Sequence, residues 1–142
     1  MSHSPWGSIQ QCIPIQYGVR WVSTASHGGL MVTADVAAKQ LSQRAIDLAH
    51  PGVCGDHVCF EEDCSYAIAF FEHPEWAVIL EVNDKDGRRD IPTIKDNMAH
   101  IIEQWVPEYF CTMEAMVERA KANPDYLIYR IGQYAASGGE AI

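Results

Sequence analysis

Between residues 8 and 32 apolar and polar positions alternate in short runs, the period expected of β-strands. "SIQQCIPIQ" (8–16) reads as a strand that Pro14 places at an edge or bend, because proline donates nothing to a ladder. Tyr17-Gly18 reads as a turn, "VRWVST" (19–24) as a second strand and "GLMV" (29–32) as a third. The period then changes. Thr33 caps a helix with Asp35 in its first turn, on an apolar stripe of Val36, Ala37, Leu41, Ala45, Ile46 and Leu48. It runs to about His50, ends at Pro51-Gly52, and is followed by a loop over 51–60.

Asp63 heads a second helix, "CSYAIAFFE", which stops before Pro74. "EWAVILEV" (75–82) is too short for its period to decide between helix and strand. The turn-like "NDKDGRR" after it favours a strand. Pro92 opens an amphipathic helix with Ile94, Met98, Ile101, Ile102 and Trp105 on one face, broken or kinked at Pro107. A further helix carries Tyr109, Phe110, Met113, Met116 and Val117 to Asn123-Pro124, and "YLIYRIGQY" (126–134) reads as a last strand. The expected fold is α+β: a small antiparallel sheet packed by about four helices, one domain over 1–142 with 135–142 a flexible tail. Trp6, Trp21, Trp76 and Trp105 are expected in its core.

Composition agrees with a folded domain, at 48% hydrophobic and 20% charged residues. The apolar runs are too short to span a bilayer, and the N-terminus lacks the basic start and apolar stretch of a signal peptide. The expected location is therefore the cytoplasm, with no membrane partner. Charge changes the picture further. The formal net charge is -9, and residues 51–90 hold ten acidic against three basic residues. Arg88-Arg89 is the lone basic pair, so direct nucleic-acid binding lacks its electrostatic footprint. An acidic middle suits a basic surface on another protein, with Glu81, Asp84, Asp86 and Asp90 as the expected contact residues. A homodimer stays open.

Two short stretches carry candidate chemistry. In "STASHGG" (23–29) His27 precedes Gly28 and Gly29, which let the backbone adopt positive φ and let another group approach. In "FEEDCS" (60–65) Cys64 falls in the first turn of a helix, where the dipole favours a thiolate. His27 as base, Cys64 as nucleophile and Glu62 as orienting acid would make a hydrolase. Glu61, Glu62 and Asp63 oppose it, because three carboxylates disfavour a neighbouring thiolate. The preferred reading is a structural clasp of His27, Gly28 and Gly29 against Glu61, Glu62 or Asp63. Five cysteines in a cytosolic chain argue against a disulfide framework, and Cys12 and Cys111 read as small buried hydrophobes. Cys54, His57, Cys59 and Cys64 offer four zinc donors, but they fall in one loop without two close pairs, so no metal or other cofactor is expected.

"EDCSYAIAFF" resembles the cysteine-bearing helix of NlpC/P60 papain-like peptidases, but lacks the glycine that usually follows Asp-Cys-Ser. On a larger scale, "VRWVSTASHGGLMVT" followed by "EEDCSYAIAFFEHPE" resembles an uncharacterised domain of phages, plasmids and other mobile elements that pairs STxSHGG with EEDCxWA. Tyr66 stands where that pattern has tryptophan. The resemblance spans about Trp6 to Glu75. It implies a mobile-element origin and that His27 meets the 61–64 segment. With the charge, it points to an accessory protein that binds and inhibits a host nucleic-acid-handling or defence complex of the CRISPR type inside a bacterial cell.

Overall fold

The alternating N-terminal third forms most of a sheet, and the described helices pack on one side of it. The computed structural model of the protein describes residues 3–49, 55–81 and 90–125. The expected strand over 126–134, the tail, Cys54, Asp84 and Asp86 lie outside them. Short strands β1 (His3–Ser4) and β2 (Gly7–Ser8) pair with each other. Strands β3 (Gln11–Gln16), β4 (Val19–Ser23), β5 (Gly28–Thr33) and β6 (His57–Glu61) form an antiparallel sheet in that order. Tyr17-Gly18 turns β3 into β4 with Gly18 at φ 75°, and Pro14 sits in an edge strand beside an irregular register.

Helices α1 (Ala34–Gln40), α2 (Gln43–Asp47), α3 (Tyr66–Glu72), α4 (Pro74–Leu80), α5 (Ile91–Trp105) and α6 (Met113–Ala122) follow, with a 3-10 turn at Pro107–Cys111 before α6. The antiparallel sheet with its packed helices makes the fold α+β. Because side chains alternate across a strand, Val19, Leu30, Val32 and Phe60 enter the main core with Ile68, Phe71, Trp76, Ile94 and Ile102. The opposite face buries Val22, Met31 and Cys59 beneath Trp6 and Ile9.

Several expectations need correction. The single helix over 33–50 is two, because Leu41 leaves helical geometry and Ser42 starts α2 by accepting from the Ala45 amide at 3.0 Å. The break is held by Glu72, which accepts the Ser42 amide at 2.8 Å and the Tyr109 hydroxyl at 2.6 Å. Burial, then the Glu72 charge, pushes the Tyr109 hydroxyl well above the ordinary tyrosine range. Residues 57–61 are a strand rather than loop, since "HVCFE" finds β5 as a partner. Residues 75–80 belong to a helix, not a strand. Pro74 supplies its pre-set φ at the start, and Trp76 and Ala77 are buried while Val78 and Ile79 face outward. Trp76 and not Trp105 is core: Trp105, in the last turn of α5, is 61% exposed. Cys12 and Cys111 are exposed rather than buried, because Cys12 lies on the edge strand and Cys111 on the 3-10 turn. No helix among the described residues is long and apolar enough to cross a membrane.

Candidate functional site

The loop that joins β4 to β5 is built by Thr24. Its hydroxyl donates to the His27 carbonyl at 2.6 Å and accepts from the His27 amide at 3.1 Å, while its own amide donates to the same carbonyl at 2.8 Å. This turn presents the exposed His27 imidazole at the end of the sheet. On the next strand Glu61 lies opposite Gly29. The pairing continues past the strand ends, because the Glu62 amide donates to the Gly28 carbonyl at 3.0 Å. The 61–65 turn is closed by the Glu61 amide donating to the Ser65 hydroxyl at 2.8 Å and the Cys64 amide donating to the Glu61 carbonyl at 3.3 Å.

The two glycines serve closeness rather than turning. Neither has positive φ, which corrects that part of the expectation. A Cβ on Gly28 would lie 2.5 Å from the Val22 carbonyl oxygen, and one on Gly29 would lie 2.1 Å from the Phe60 carbonyl oxygen and 2.7 Å from the Trp6 ring. Close strand spacing at this end is what brings the motifs together. Donor atoms of His27, Glu61 and Asp63 all lie within 4.8 Å of one another, and these three could hold a metal ion.

Glu62 points to the other face of the sheet. With Asp63 and Glu81 it rims a cleft of about 320 Å³ whose wall is Trp21, Tyr66 and Phe70. Trp21 and Tyr66 meet edge to face at 5.7 Å, as do Tyr66 and Phe70, and Trp21 stacks on Phe70 at 6.0 Å. These aromatic residues were not legible as a site, because half-buried rings beside a core read the same way as core. Of the expected contact residues, Glu81 is on this rim. Asp90 instead caps α5, its carboxylate accepting from the Thr93 amide at 2.8 Å. Hydrogen bonds from Thr93 hold the Asp90 carboxyl below the usual carboxylate range.

The cysteines fall differently from expectation. Cys64 precedes α3, which starts at Tyr66, so it lies in the turn rather than in a helix. Its side chain packs against the main core, and it is not part of the His27 cluster. Cys59 is in a disulfide, which runs against the argument from five cysteines in a cytosolic chain and leaves no thiolate there for zinc. That argument rested on compartment, and compartment says nothing of which sulfurs a fold sets side by side. His57 lies beside Asp56, with Nδ1 3.1 Å from the carboxylate. Iodoacetamide on the unreduced protein is expected to modify exposed Cys12 and Cys111 first and half-buried Cys64 more slowly, with Cys59 modified only after reduction. Peptide mass mapping checks the order, and selective fast modification of Cys64 would instead restore the hydrolase reading.

The fold and its polar end define a small acidic α+β domain. A family model described as a domain of unknown function (DUF7007) matches residues 1–125, and the chain belongs to that family. No curated protein and no solved structure matches it.

Proposed function

We propose that the protein is an acidic accessory protein of a phage or other mobile element that binds and inhibits a host nucleic-acid-handling or defence complex of the CRISPR type. The observation that supports this most is the cleft in which Glu62, Asp63 and Glu81 rim an aromatic wall. Carboxylates beside the half-buried rings of Trp21 and Tyr66 suit an arginine or lysine, which pairs with the acid and lays its cation against the ring. Proteins that handle nucleic acid present such side chains in clusters, and the net charge of -9 steers the chain toward them. The mobile-element setting rests on the resemblance of "STASHGG" and "EEDCSYA" to the paired motifs. The hydrolase alternative is not favoured by any observation, since Cys64 packs against the core.

Charge reversal tests the reading. Glu62→Lys combined with Glu81→Lys is expected to weaken capture of a CRISPR-type effector complex by at least about tenfold, and raising salt from about 0.05 to about 0.5 M is expected to weaken the unmodified protein similarly. Asp90 is left alone because its reversal would remove a helix cap. Binding that is indifferent to both salt and charge reversal would overturn the reading, as would failure to inhibit nucleic-acid binding by the captured complex.

A further inference from the structure

We propose that His27, Glu61 and Asp63 form a binding site for a first-row divalent cation such as Zn²⁺ or Mn²⁺. This site shares Asp63 with the rim of the acidic cleft but uses different chemistry. In the β5–β6 pairing, residues directly opposite share a face of the sheet. Glu61 is opposite Gly29, and the Glu62–Gly28 hydrogen bond carries the register one step on. Asp63 follows in the 61–65 turn, and His27 precedes Gly28 in the loop before β5. The end of the β5–β6 ladder and the turn that follows it thus bring the three side chains together.

The spacing fits an ion. The three donor atoms lie within 4.8 Å of one another. Ligands on a six-coordinate ion with bonds of about 2.1 Å are about 3 Å apart when adjacent and about 4.2 Å apart when opposite. Small side-chain rotations of exposed His27 and Asp63 bring the set into that range. The donors come from two chain segments and are of two chemical types. One neutral imidazole and two carboxylates balance a divalent charge, and the nitrogen favours a transition ion over Mg²⁺ or Ca²⁺. Glu61 has a further interaction of its own. Three protein ligands leave the remaining positions to water or an exogenous group, the arrangement of open rather than closed metal sites.

The inference is tested on the full chain stripped with EDTA, by calorimetric titration with ZnCl₂ and separately with MnCl₂. One equivalent of either ion is expected to bind, with Mg²⁺ at least about tenfold weaker. His27→Gln and Asp63→Asn are each expected to reduce affinity at least about tenfold. The unmodified protein is expected to melt at higher temperature with the ion than without. Circular dichroism of both variants checks that they are folded, and Cys64→Ser, which leaves the three donors in place, is expected to bind as the unmodified chain does. Absence of binding in the unmodified chain would overturn the inference. So would binding that survives both His27→Gln and Asp63→Asn, since the ion would then sit on other histidines or cysteines. Neither result depends on any protein partner, so the cation site and the acidic cleft can fail separately.

Discussion

Replacing Arg119 with alanine is expected to destabilise the protein by about 3 kcal/mol, the lower end of the range for breaking a buried ion pair. Arg119 is 2% exposed. Its guanidinium donates to Glu103 at 2.7 Å and to Asp96 at 2.6 Å, tying α6 to α5. Asn123 adds a hydrogen bond to Asp96 at 3.3 Å. Without the guanidinium two carboxylates on one side of α5 lose their shared cation, and Asp96 keeps the Asn123 hydrogen bond. Their side chains are 31% and 34% exposed, so water recovers part of the loss, which is why the lower end applies. Urea unfolding of the variant measures it, and a change below about 1 kcal/mol would mean that the cluster contributes little.

The same cluster has an acid limb. Burial opposes ionisation of Asp96, but hydrogen bonds from Arg119 and Asn123 outweigh it and hold the carboxyl below its ordinary value. A carboxyl lowered on folding contributes stability above its unfolded value of about 4, and that contribution is lost as pH falls through the folded value. Arg119→Ala is therefore expected to flatten the acid-side loss of stability as well as lowering the plateau.

Gly29→Ala carries the second large effect, about 3 kcal/mol or more. The added methyl would sit 2.1 Å from the Phe60 carbonyl oxygen, an atom of the β5–β6 ladder that cannot move without parting the strands. It would also press on the Trp6 ring, so a change in tryptophan fluorescence is expected beside the fall in unfolding midpoint. Overpacking of a flexible neighbour is relieved cheaply, but overpacking of backbone is not. A variant within about 0.5 kcal/mol of the unmodified protein would mean that the strands separate easily at this end.

Legibility in the sequence followed contact range. The β3–β4 turn at Tyr17-Gly18, the alternation of β4 and the α5 stripe of Ile94, Met98 and Ile102 rest on neighbours in the chain, and local pattern reveals them. Strand β6 does not work that way. It pairs with β5 across an intervening pair of helices, and "HVCFE" alone is too short and too mixed to announce itself. Since β6 brings Glu61 and Asp63 to His27, the residue types at this end were legible while the register that joins them was not. Trp105 failed for a related reason. Its stripe was read one turn too far, past the point where α5 still has a neighbour. The aromatic wall of the cleft follows the same limit, because Trp21 and Tyr66 serve the core and the surface at once.

Glu72 has one more consequence. It receives the start of α2 and the hydroxyl of Tyr109 while itself ending α3. Three segments separated in the chain thus share one half-buried carboxylate, and a segment that swings away takes its hydrogen bonds from it. Opening fluctuations there are collective: the α1–α2 joint, the end of α3 and the 3-10 turn open as a unit or stay shut together.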